Sequence, residues 1–141
     1  MYGRALHALL VARFEALVPL DQAAVTDLFR HDPDATDGEV RPNRSFQLFR
    51  GQLGPSESFT PLLVRRTFRL RRFYVDAPSI GDIIDDDDEQ VMTTLYGFGA
   101  ADHVDISGVV AMGDCIRTEG RAPQQLVADL DFVIAYTLTG G

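Results

Sequence analysis

Apolar and polar residues alternate most cleanly in the stretch from Leu126 to Leu138. Leu126, Ala128, Leu130, Phe132, Ile134, Tyr136 and Leu138 take every second position, and Asp129, Asp131 and Thr137 lie between them. Side chains of a strand point alternately to its two faces, so this period predicts a strand over 126–138 with one face on a core. A second alternating run covers 62–75. Val64, Phe68, Leu70 and Tyr74 share one face, which Arg66 and Arg72 interrupt, while Arg65, Thr67, Arg69 and Arg71 share the other. The run is long for one strand, so overhanging ends or a bulge are expected. A shorter strand is predicted over 46–50, ended by Gly51 and a Gly54-Pro55 turn. Another is predicted over 104–116, broken by Gly108 and Gly113, with a turn around Glu119, Gly120 and Pro123.

Two segments carry the helical period instead. Leu6, Leu9, Leu10, Phe14 and Leu17 form one stripe, alanines fill much of the rest, and Pro19 bars continuation. The second helix is expected over 86–96. The acidic run Asp85 to Glu89 would sit at its start, where carboxylates meet the positive end of the helix dipole. Ile80, Ile83 and Ile84 would form a preceding turn, and Gly97 and Gly99 would stop the helix. In residues 21–31, Ala24, Val25, Leu28 and Phe29 fit either a short helix or a strand, and a short strand ending near Arg30 is the expectation. Residues 31–44, with two prolines, Gly38 and four acids, read as an exposed loop. The acidic run is expected to be exposed as well.

These elements imply an α+β domain spanning 1–141: one twisted, mostly antiparallel or mixed sheet, with an N-terminal helix and a second helix on one face. The predicted core is Leu6, Leu10, Phe14, Leu17, Phe68, Leu70, Val91, Leu95, Leu130, Phe132, Ile134 and Tyr136. A solvent-exposed Phe132 would mean a register wrong by one.

Charge narrows the function classes. The 21 acids outnumber 13 basic residues, a net of -8, so bulk attraction to DNA or an anionic membrane is not expected. All the basic residues are arginine, the cation suited to planar, bidentate pairing and to interfaces. No apolar run approaches a membrane span, and Arg4, His7, Arg13 and Glu15 interrupt any signal-like apolar core near the start. Cys115 is the sole cysteine, which excludes an internal disulfide and suits an intracellular setting.

The search for chemistry finds no catalytic set, no cofactor motif and no metal-ligand spacing. His7, His31 and His103 are scattered and read as surface histidines. Cys115 beside Asp114 would have its thiol pKa raised, so it reads as a small strand residue. Gly97-Phe98-Gly99 and Gly51-x-x-Gly54 lack the strand-to-helix context of a phosphate loop. Five contiguous acids project around a helix start rather than converge on a cation. The arginine stripe is left. Nucleic-acid binding is one use, but the face of Arg65, Arg69 and Arg71 lacks interleaved aromatics for stacking. Cross-strand pairing with Asp129 and Asp131 is a second, and a subunit interface a third.

The order of elements resembles the tail-terminator, or tail-completion, proteins of long-tailed bacteriophages. The resemblance is carried by the opening helix Arg4 to Leu17, the long strand 62–75, the helix beginning in the Asp run, and the closing Asp129-Leu-Asp-Phe-Val-Ile-Ala-Tyr-Thr-Leu strand. It implies a structural virion protein of the neck or tail, present in the host cytoplasm during assembly, and not an enzyme. Such a protein caps the tail tube as a ring, a homohexamer being expected. Its partners would be itself, the tail tube protein and the head-completion or connector protein. Genome DNA would only pass through the lumen, and no membrane or cofactor is involved. Arg65, Arg69, Arg71, Asp129 and Asp131 are then the expected interface residues. The alternative is a nucleic-acid-binding α/β module using the arginine-rich strand 62–75. A small enzyme built on Asp102, Asp105 and Arg117 is a third reading.

Overall fold

The computed structural model describes residues 3–19, 29–33, 41–55, 63–75, 77–101, 110–111, 120–122 and 125–137. Its elements in chain order are α1 (Gly3–Glu15), β1 (Arg30–His31), β2 (Ser45–Pro55), β3 (Leu63–Val75), α2 (Ile80–Ala101), β4 (Val110–Ala111), β5 (Gly120–Ala122) and β6 (Gln125–Thr137). The fold class is α+β. The strands form one mixed sheet in the order β1-β2-β3-β6-β4, with β5 also on β6. Only β1 and β2 run parallel; the other pairs are antiparallel.

The period-two segments become the middle of the sheet. β3 and β6 pair without interruption from Leu63↔Thr137 to Val75↔Gln125. Phe68 therefore lies opposite Phe132 and Leu70 opposite Leu130, all buried, and the Phe68 and Phe132 rings stack with centroids 5.4 Å apart. Phe132 is 1% exposed, so the predicted register stands. The helices seal this same face. Leu6, Leu10 and Phe14 of α1 and Val91 and Leu95 of α2 join Phe46, Leu48, Phe68, Leu70, Leu130, Phe132, Ile134 and Tyr136 in one buried cluster. Of the predicted core, only Leu17 is merely part-buried at its margin. A satellite cluster of Tyr74, Ile84, Leu126 and Ala128 lies under the start of α2.

Several boundaries differ from the sequence reading. The expected bulge is in β2, between Arg50 and Leu53, not in β3. β2 accordingly continues past Gly51 to Pro55, because β3 supplies a ladder as far as Val64. α2 starts at Ile80, not 86: Ser79 accepts the first helical bond from the Ile83 amide. Ile80, Ile83 and Ile84 are thus its first turns. Gly97 and Gly99 do not stop it, and it runs to Ala101. A glycine costs a helix only about 1 kcal/mol relative to alanine, which neighbouring residues can offset. Gly120–Ala122, expected as turn, is the short strand β5. Of the strand expected over 104–116, only Val110 and Ala111 are described, and the rest lies outside the described residues. So do 21–28 of the expected early strand and 34–40 of the expected loop.

Candidate interaction surface

With both helices on one face, the opposite face of the sheet is set by the odd positions of β3 and β6. The ladder places Arg69 directly opposite Asp131 and Arg71 opposite Asp129. Each pair closes as a fork. Arg69 donates from Nε to Asp131 Oδ1 at 2.8 Å and from Nη2 to Oδ2 at 3.1 Å. Arg71 donates from Nε to Asp129 Oδ1 at 2.9 Å and from Nη2 to Oδ2 at 3.0 Å. Arg69 Nε also stands 4.0 Å from Asp129 Oδ2, which links the two pairs.

Their surroundings differ. The Arg69 and Asp131 side chains keep 48% and 39% of their exposure, whereas that of Asp129 keeps 10%. The hydrogen bond and charge of Asp131 push the Arg69 pKa above the ordinary arginine value. The Arg71 guanidinium also lies over the Phe49 ring, 5.6 Å from its centroid. Phe49, Gly51, Thr67, Val133 and the two arginines border a shallow depression of about 530 Å3. Phe49 is 42% exposed, one of the few large apolar side chains on the described surface. At the far end of the face Arg41 lies 4.5 Å over Phe73. Of the five predicted interface residues, four therefore meet as within-chain pairs. Arg65 lies on the same face, opposite Ala135.

A second charged group was missed. Asp87, inside the acidic run expected to be exposed, is wholly buried. Its Oδ2 lies 3.2 Å from Arg44 Nε and accepts a 2.8 Å hydrogen bond from the Tyr74 hydroxyl. Arg72 donates to the same hydroxyl at 3.2 Å and pairs with Asp88. Arg41 and Arg44, placed in an exposed loop by the sequence reading, are buried too. Arg44 is held with a left-handed φ of 62°, and its amide donates to Phe73 O at 2.7 Å. Burial pushes the Tyr74 pKa far above the ordinary tyrosine value, although Arg72 opposes this. Burial works against the Arg72 guanidinium, but Tyr74, Asp88 and Asp87 more than offset it, so its pKa ends above normal. Arg44 and Arg72 thus face Asp87 and Asp88 around the Tyr74 hydroxyl.

Arg66, the other cation among the core-facing positions of β3, donates from Nε to the Tyr136 hydroxyl at 3.1 Å beneath the start of α1. A side chain above it would be crowded: a Cβ on Gly3 would stand 3.2 Å from both groups. His7 is not a simple surface histidine either, since its Nε2 lies 2.8 Å from Leu48 O. His103 and Cys115 lie outside the described residues. Among the described residues no group of three metal-ligating side chains converges, and no helix is long and apolar enough to cross a membrane. No protein-family profile and no curated protein matches the sequence.

Proposed function

We propose that the chain is a structural virion protein of the phage neck or tail, a tail terminator that caps the tube as a homo-oligomeric ring and joins it to the head connector. The observation that carries the reading is the one-sided sheet. Helices cover one face, and the other presents Phe49 and a flat ladder of paired charges around a shallow depression. A sheet face on which Arg69, Arg71, Asp129 and Asp131 already neutralise one another suits contact with a neighbouring subunit: at the ladder little charge must be desolvated without a partner. The same pairing weighs against the nucleic-acid module. A phosphate would have to displace a bidentate carboxylate from Arg69 or Arg71, and the overall charge repels it. The order of elements described above supports the assignment to the neck.

Electron cryomicroscopy of assembled particles tests this. The expected result is density for the chain in the neck, in six copies. A location elsewhere, or a copy number not divisible by three, refutes it. A salt-sensitive affinity for DNA that Arg69→Glu abolishes would instead establish the nucleic-acid module.

A further inference from the structure

Among the described residues, the outer edge of β2 beyond β1 carries no strand, and the fold treats it unusually. β1 pairs with β2 only at Ser45 and Phe46. The Phe46 carbonyl points outward and accepts from the Asp32 amide at 2.8 Å. Two residues on, the Leu48 carbonyl points the same way, as strand geometry requires. No described strand reaches it. Its partner is the His7 side chain, 2.8 Å away. A carbonyl can only accept, so His7 carries its proton on Nε2. His7 follows the buried Leu6 on α1, and its ring stands edge-on to His31 with centroids 6.1 Å apart. His31 in turn lies against Phe46 at 5.3 Å. Past Leu48 the next outward position in phase is Arg50, and the irregularity between Arg50 and Leu53 then breaks the phase.

We infer that His7 is an edge guard: it occupies the outward carbonyl of Leu48 and so closes the stretch of β2 between the end of β1 and the bulge to strand addition by a second copy of the chain. Edges left open template pairing with other chains, and lysines, prolines and bulges are the usual defences. This edge has no lysine, and its first proline is Pro55. A lane of about 380 Å3 beside Leu48, bordered by His7, His31, Pro33 and Arg50, gives an incoming strand room. Exposed Phe49 gives it an apolar contact. His7 blocks the lane where two regular rungs, Leu48 and Arg50, would otherwise be consecutive.

The test compares full-length wild type, His7→Ala and His7→Gln by light scattering over a concentration series, with Ile83→Ala as a control. Ile83 is part-buried on α2, away from the edge, so its truncation loosens the fold without opening β2. His7→Ala should raise the associated fraction several-fold over wild type. His7→Gln, whose amide can donate to the same carbonyl, should restore the wild-type level, and Ile83→Ala should match wild type. In associated His7→Ala, amide exchange at Leu48 and Arg50 should slow at least tenfold. The inference is overturned by His7→Ala behaving as wild type or by His7→Gln associating as strongly as His7→Ala. Equal association of Ile83→Ala, or slowed exchange that spares Leu48 and Arg50, overturns it too.

Discussion

The two rungs of the arginine–aspartate ladder have the same chemistry and different surroundings, so they should differ in energetic weight. Consider Arg71→Met and Arg69→Met, which keep most of each aliphatic stem. Arg69→Met breaks a pair whose two side chains are 48% and 39% exposed. Water solvates Asp131 in its place, and exposed pairs are worth at most about 1 kcal/mol. Arg71→Met leaves Asp129, with 10% of its side chain exposed, facing one remaining cation, Arg69, at 4.0 Å. Removing the partner of a desolvated charge costs about 2–5 kcal/mol. The nearby Arg69 and the half-exposed position of Arg71 hold the expected loss near the lower end, about 2 kcal/mol. Urea unfolding at neutral pH measures both, and a cycle with Asp129→Asn isolates the pair energy. In 1 M salt, where screening reaches about 3 Å, the Arg69 effect should vanish and most of the Arg71 effect should persist. Equal costs for the two substitutions, or an Arg71 effect abolished by salt, would refute the argument that burial of Asp129 sets the difference.

Three further outcomes follow from packing and burial. Asp87→Leu leaves Arg44 buried without its carboxylate and should cost about 3–5 kcal/mol, and adding Arg44→Met should recover most of it; calorimetry of the single and double variants checks this. The same cluster sets an alkaline limit. Below about pH 10 Tyr74 is protonated folded or unfolded, but above it only the unfolded chain gives up the proton, so stability should fall by about 1.4 kcal/mol per pH unit. Tyr74→Phe should remove that slope in pH-dependent urea titrations. Gly51→Ala would drive a Cβ into the Thr67 hydroxyl and should cost about 1–3 kcal/mol, relieved by Thr67→Ala, while Gly54→Ala, which meets open space, should cost little; thermal melts distinguish them.

The β3–β6 ribbon and its ladder were readable because a period of two is unambiguous over long runs. Once Phe68 and Phe132 share a face, Arg69, Arg71, Asp129 and Asp131 must share the other. The buried cluster was hidden by a misplaced helix start. With α2 begun at 86, the acids look like a solvated cap. With it begun at Ile80, the buried stripe Ile84, Val91 and Leu95 runs through position 87, so Asp87 must face inward. The missing signal was Ser79-x-x-Asp82, a capping spacing before an apolar run. Arg72 among the core-facing residues of β3 was the other clue, because a cation there requires an anion above it. The guard role of His7 depends on where β1 stops, and no local pattern announces that.

The sheet's middle is made from parts far apart along the chain. β2 and β3 are neighbours in sequence, but the partner on the other side of β3 follows about fifty residues later, beyond the whole of α2. Closing a loop of that size costs entropy before any rung of the ribbon rewards it. The β2–β3 hairpin and the two helices can form as local, marginal structures, yet the core they share has no floor until β6 slots in between β3 and β4. During synthesis the edge of β3 that faces β6 therefore waits, unpaired, for the strand that completes the sheet. Folding of this chain is in that sense a single late event, gated by the delivery of one strand.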